Sequence, residues 1–340
     1  MPVKLGKAIV LVLLLATATA LAEPTKKKSR RRAPARKPAV SFDVSAVNDP
    51  ATATPIRRGS SGSVVVRAQV LLDRAHFSPG EIDGSFGSTM TITAAGFQRA
   101  RGMTGSGTID EATWKVLNAD SAPALVRYGI RPEDVAGPFL EIPEDMMEKA
   151  TLPALGYSSP LELLSEKFHV SPKLLSRLNP GKSFEKAGEE ILVPNVRTAG
   201  AGQKAAKIVV DKTASTVTAL DAENKPIAQY PATMGSEHDP LPIGDWKVNG
   251  VSRNPPFHYN PDLFWDADAK DEKATIKPGP NNPVGVVWID LSKQHYGIHG
   301  TPEPSTIGKT QSHGCIRLTN WDAQELAEVV GPGTPAVLKE

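Results

Sequence analysis

The spacing of apolar residues changes character several times along the chain. Residues 8–20 (AIVLVLLLATATA) are continuously apolar, follow Lys4 and Lys7, and end at Ala20-Leu21-Ala22. A basic start, a short apolar run and a small-x-small end predict a cleaved export signal over residues 1–22. The run is short for a bilayer span, and an anchor left in place is the alternative reading. Residues 23–58 have little periodicity and predict a basic disordered linker. A helical period returns at 64–72, 91–99 and 110–117, the last behind an Asp cap, with a turn-rich SPGEIDGSFG between the first two. Together they predict a small unit over 60–119. Residues 120–155 are Pro-rich and predict a connector. Residues 156–196 predict a second small unit, with helices at 161–168 and 171–178, a break at Asn179-Pro180-Gly181 and a strand at 190–194. Strand-like alternation fills 207–210, 216–220, 227–234, 245–248, 285–291 and 296–299, and helical period returns at 320–330. A mostly-β domain over 206–338 with one late helix follows. The expected fold class is multidomain α+β.

Charge and cysteine content narrow the function. A formal net charge of +2 over 340 residues excludes a nucleic-acid binder by charge alone. The cations concentrate in the linker, where residues 26–32 read KKKSRRR. That run is a spacer, or a weak attachment to anionic wall polymers or membrane surface. Cys315 is the only cysteine, so no intramolecular disulfide can form. An exported lone thiol is either protected or used, and a buried, inert cysteine is the plain alternative.

The residues around Cys315 favour use. The chain reads Tyr296-Gly297-Ile298-His299-Gly300-Thr301 and later Ser312-His313-Gly314-Cys315-Ile316-Arg317. A thiol attacking an amide needs a base, a group that orients the base, and donors for the oxyanion. Cys315 is the candidate nucleophile and His299 the candidate base. Gly300 offers a backbone carbonyl to the far ring nitrogen of His299. His313, Gly314 and Cys315 offer N–H groups to an oxyanion, and Arg317 suits a carboxylate.

These segments resemble the signature of the L,D-transpeptidase (YkuD-like) catalytic domain: a His-Gly, a gap, then Ser-His-Gly-Cys. Here His299 precedes Cys315 by sixteen residues. Met234-Gly235, Pro242-Ile243-Gly244, the Gly279 to Gly285 run GPNNPVG, Asn254-Pro255-Pro256 and the NPDLFW beginning at Asn260 resemble further family segments, so the likeness spans 206–338. It implies a β-sandwich with the cysteine in a cleft and no metal or cofactor. It also implies attack on a peptidoglycan stem peptide at an L-to-D bond, through an acyl-thioester on Cys315. By resemblance His299 is the base, Gly300, His313 and Gly314 orient groups or bind the oxyanion, and Ser312 and Arg317 contact or shape the substrate site. The acyl group passes to an amine of a second stem, to a lysine of an outer-membrane lipoprotein, or to water; the last makes an L,D-carboxypeptidase. Residues 60–119 resemble a three-helix peptidoglycan-binding domain through Ile82-Asp83-Gly84-Ser85-Phe86-Gly87, Phe97-Gln98 and Thr113-Trp114, departing at 90–93 where the family is more helical. Residues 156–196 resemble a LysM module through Leu178-Asn179-Pro180 and Ile191-Leu192-Val193-Pro194, without its opening strand. These two imply glycan strands as partners; with the export signal they predict a secreted or periplasmic, wall-associated protein, and a monomer is expected.

Two other readings compete. His295, His299, His313 and Cys315 could hold zinc, but HYGIH reads as a strand, which sets its histidines roughly 13 Å apart. A wall-binding protein whose third domain has lost activity is the other, and intact His299 and Cys315 weigh against it. His238 and His258 are expected on the surface or in the core, with the cleft lining as the alternative, and Trp265, Trp288 and Trp321 in packing.

Overall fold

The computed structural model describes residues 42–197, 201–312 and 314–340. The expected export signal, most of the basic linker and His313 lie outside these residues. The linker does not run to residue 58. Val44–Asn48 forms helix α1, capped by the Asp43 side chain. Val47 is fully buried, and its carbonyl accepts from Arg67 Nη1 at 3.2 Å. Phe42 packs on the same core, and Asn48 exchanges two hydrogen bonds with the Leu125 backbone, so several contacts order this segment.

The first module holds α2 (Ser63–Arg74), α3 (Ser88–Ala100) and α4 (Glu111–Leu117). Asp110 accepts the Thr113 N–H and caps α4, as its position before the helix predicts. The stretch at 90–93 is helical despite its β-branched residues, because Met90 and Thr93 face the core and burial overrides propensity. Helix α2 is buried nearly all round, and two cores explain it. Val65, Ala68, Leu71 and Leu72 pack within the first module. Val66 and Val70 pack with Leu164, Val170, Leu174 and Ile191 of the second.

The second module is larger than the sequence suggested. Leu125–Gly129 forms β1, which pairs antiparallel with β2 (Glu190–Pro194), Leu125 opposite Pro194 and Gly129 opposite Glu190. The opening strand therefore lies inside the expected connector. About thirty residues separate it from the next paired helices, α6 (Pro160–Lys167) and α7 (Pro172–Leu178). That insertion carries a further helix, α5 (Met146–Thr151), capped by Asp145. The insertion hid the pairing, because strand and partner no longer sit within one readable window.

The third module carries β3 (Lys207–Asp211), β4 (Thr216–Leu220), β5 (Pro226–Pro231), β6 (Thr233–Met234), β7 (Gly244–Arg253), β8 (Phe257–Tyr259), β9 (Ala274–Ile276), β10 (Val287–Leu291), β11 (Gly297–His299), β12 (Ile316–Arg317), helix α8 (Asn320–Val329) and β13 (Pro335–Lys339). Among the described residues nine strands bond in the order β5-β4-β3-β13-β7-β10-β11-β12-β6. Strand β7 belongs to both halves. Its first residues pair with β13 and its later ones with β10, so the sheet turns over on itself as a sandwich does. Ile208, Val217, Ile289, Ile298, Ile316 and Leu338 meet in the shared core. Helix α8 packs on β10 and β11. Strands β8 and β9 pair separately as a flap.

Arg197 joins the three modules. Its Nη1 lies 2.6 Å from Asp73 of α2, its Nη2 2.6 Å from Asp322 and its Nε 2.6 Å from Glu325 of α8. His169, after α6, reaches Asp73 at 2.8 Å and stacks on Trp321 at 5.1 Å. All three carboxylates are buried. Burial raises a carboxyl, but Arg197 and His169 outweigh it at Asp73, which is held at about 2.

Candidate active site

Sheet register brings the chemistry together. Strand β11 runs parallel to β12, with Ile298 opposite Ile316 and His299 opposite Arg317. Both strands are short, so Cys315 stands at the entry to β12 beside Gly297, the first residue of β11, with His299 two residues further along that strand. Cys315, His299 and Arg317 open into one cleft of about 840 Å³. Trp288, Tyr296, His295 and Asp239 also line it.

His299 is buried and doubly fixed. Its Nδ1 lies 2.7 Å from the Gly300 carbonyl oxygen. A carbonyl only accepts, so Nδ1 carries the hydrogen and Nε2 keeps a free lone pair. The ring stacks on Trp288 of β10, its centroid 5.5 Å away at 20°. Burial lowers the imidazole to about 3, with the Arg317 charge adding to it and the Gly300 carbonyl opposing. The ring is therefore neutral at pH 7.

Cys315 is half-buried, and burial pushes its thiol up, against the Gly297 backbone and the Arg317 guanidinium that favour the thiolate. Its Sγ lies 3.8 Å from the His295 carbonyl oxygen. The turn before it is held by Ser312, which is buried. Ser312 Oγ donates to the Cys315 carbonyl at 2.6 Å and accepts the Gly235 N–H at 2.8 Å. Gly314 takes φ +93°, and a Cβ there would stand 2.8 Å from the Tyr296 ring. Only glycine fits that turn.

The expected residues thus divide. Cys315, His299 and Arg317 line the cleft; Gly300 and Gly314 act through their backbone; His313 is outside the described residues. Ser312 shapes the turn before Cys315. Its hydroxyl is spent on two backbone groups behind the turn. Trp288 and Tyr296 face the cleft and had been given packing or no role. For Trp288 the signal was available only through pairing, since it stands opposite His299 across β10 and β11. His238 stacks on Trp265 at 4.6 Å, joining the loop after β6 to the flap. Among the described residues no group of three or more His, Cys, Asp or Glu side chains converges as a metal site requires.

One wall of the cleft comes from the second module's insertion. Glu144, Asp145 and Met146 line it. Met146, Met147 and Leu152 pack with Tyr259, Ile276, Phe257 and Phe264 of the flap.

Residues 205–338 match the model of the L,D-transpeptidase catalytic domain, and residues 61–117 that of a peptidoglycan binding domain. A protein of Bacillus licheniformis called "Putative L,D-transpeptidase YkuD" is 32% identical over 176 residues, which cover 90% of it and 51% of this chain. This chain belongs to the L,D-transpeptidase family. The Bacillus subtilis protein of the same name is 32% identical over 175 residues, again 90% of that protein. A crystal structure of an L,D-transpeptidase from Xylanimonas cellulosilytica shares 15% identity, covering 86% of this chain and all of the other, with a TM-score of 0.36. The transpeptidase carries its catalytic module and its peptidoglycan-binding module in one chain, and peptidoglycan is its substrate class.

Proposed function

We propose that Cys315 is the nucleophile and His299 the general base of this cell-wall L,D-transpeptidase. The arrangement that carries the reading is the His299 ring, with Nδ1 committed to Gly300 and Nε2 open in the same cleft as the thiol. The resting pair is a neutral thiol and a neutral imidazole. Nε2 takes the thiol proton as sulfur attacks the carbonyl carbon at the L-to-D bond of a stem peptide. The C–N bond then breaks, the imidazolium returns its proton to the leaving amine, and a thioester remains on Cys315. An incoming amine reverses these steps, forming a new amide and freeing the thiol. The backbone N–H groups of Gly314 and Cys315 serve the developing oxyanion, and Arg317 takes a substrate carboxylate.

Transfer to an amine is favoured over hydrolysis by the charge of the cleft. Glu144, Asp145, Asp239, Asp266, Asp268 and Asp271 line it, a field that draws a cationic acceptor such as the side-chain amine of a second stem or a protein lysine. Export across the cytoplasmic membrane, wall retention by the first two modules and glycan binding by the LysM-like β1-α6-α7-β2 unit complete the reading.

Carbapenem treatment followed by intact mass tests it. Wild type gains one covalent adduct, and C315A gains none. A wild type that stays unmodified overturns the assignment of Cys315. Muropeptide profiles then separate transfer from hydrolysis: new diaminopimelate cross-links mark the first, and shortened stems alone the second.

A further inference from the structure

The second module reaches the catalytic centre from behind. Glu166 of α6 is half-buried between modules and accepts both from Asn320 Nδ2, at 3.0 and 3.2 Å, and from the Tyr157 hydroxyl at 3.2 Å. Asn320 opens α8. Its Nδ2 also donates to the Pro280 carbonyl at 3.1 Å, and its Oδ1 accepts the Val286 N–H at 3.2 Å. That oxygen packs onto two backbones: a Cβ on Gly300 would lie 2.1 Å from it, and one on Gly285 2.0 Å. Gly300 is the residue whose carbonyl holds His299 Nδ1. An unbroken line of contacts therefore runs from α6 through Asn320 and Gly300 to the imidazole.

An amide can rotate by half a turn and exchange its oxygen for its nitrogen. A flipped Asn320 would aim N–H groups at the Val286 N–H and at Gly300. Glu166 and the Pro280 carbonyl both accept from Nδ2 and together hold the amide in its present orientation. The same module pins the loop that Asn320 spans. Asn281 Nδ2 donates to Glu162 Oε1 at 2.7 Å and to the Gly156 carbonyl at 2.9 Å, and the Leu155 carbonyl accepts the Asn281 N–H. Pro283 and Val284 of that loop line the cleft.

We infer that Glu166, carried by the second module, is a positioning residue for the catalytic imidazole and acts through Asn320. The module is then part of the catalytic apparatus as well as a wall-binding element. Burial raises the Glu166 carboxyl to about 8, with Glu162 adding to it and the bonds from Asn320 and Tyr157 opposing. It is mostly neutral at pH 7, so glutamine is its close mimic.

The inference rests on His299 and Cys315 having the roles proposed above. The test is the rate of Cys315 acylation by a carbapenem at pH 7 across drug concentrations. Glu166→Met keeps the volume and removes the acceptors. Its limiting rate should fall roughly tenfold to a hundredfold, the cost of a misplaced reacting group, while the half-saturating concentration stays within about twofold because Asn320 and Glu166 lie outside the cleft. Glu166→Gln keeps an oxygen for Asn320 and should recover most of the rate. A methionine variant as fast as wild type overturns the inference, as does a glutamine variant as slow as the methionine one. If the methionine variant does not fold, Asn320→Asp replaces the pinned N–H donor by an acceptor, and an unchanged limiting rate there overturns it. A wild type that forms no adduct defeats the assignment of Cys315 instead, so the two failures are distinguishable.

Discussion

His299 and Cys315 are a neutral pair, and their pH behaviour follows from that. The imidazole is lowered to about 3 and the thiol is raised, both by burial first. Alkylation of Cys315 by iodoacetamide should therefore be slower at pH 7 than that of free cysteine, and should climb into the alkaline range without an inflection between pH 5 and 7. A limb near the ordinary histidine value of about 6.5 would mean an imidazolium–thiolate pair. The same shift affects stability. Above pH 6.5 both folded and unfolded imidazoles are neutral. As pH falls below that value the unfolded ring takes a proton that the buried ring refuses until about 3, so stability declines across that window. His299→Gln should lose most of this slope in a melting series from pH 7 to 4. Ser312→Ala removes an acceptor from Gly235 and a donor to Cys315, and should cost about 1–3 kcal/mol of stability, measured by denaturant unfolding. The chemistry at this scale was legible because it is local: a glycine carbonyl beside His299 and a glycine before Cys315 can be read in one line of sequence. Which of its two expected parts Ser312 plays was not legible, because a hydroxyl looks the same whether it faces a substrate or two backbone groups.

Helices and strands were readable where their partners lie close in the chain. The caps at Asp110 and Ser171 accept the N–H groups their positions predict, and Ser159 caps α6 in the same way. Strand β1 was hidden because its partner β2 lies about sixty residues on. Short strands β8, β9 and β12 carry too few residues to show a period of two. The insertion helix α5 had no visible purpose in sequence, and its purpose is tertiary: it braces the flap. Asp145 accepts from the Met147 and Glu148 N–H groups, at 2.8 and 3.0 Å. Asp145→Ala should weaken α5 by about 1 kcal/mol, and limited proteolysis should then cut the flap between residues 260 and 272 faster than in wild type. Equal cleavage rates would show that the flap holds itself.

The modules were legible as separate units, but their union was not. Besides the apolar core that α2 shares with the second module, it rests on single polar side chains scattered over the chain: Asp73, His169, Arg197, Asp322 and Glu325. No local pattern announces that five residues from three modules will meet. Arg197→Met should leave three buried carboxylates without their cation and cost about 3–5 kcal/mol. Calorimetry of wild type should show one cooperative transition, and the variant should separate into two or more. A variant that melts as wild type does would show that apolar contacts alone unite the modules.

The Arg197 junction also sets a distance. With the peptidoglycan-binding helices, the β1–β2 unit and the Cys315 cleft joined through it, the chain works as a caliper. Wherever the first module grips a polymer, the thiol stands at a fixed offset from that grip. Stems at the matching spacing meet a high local concentration of catalyst, and stems at other spacings gain nothing from the attachment. If the first module holds the wall and Cys315 acts as proposed, lattice spacing as well as stem chemistry would select where a bond is made.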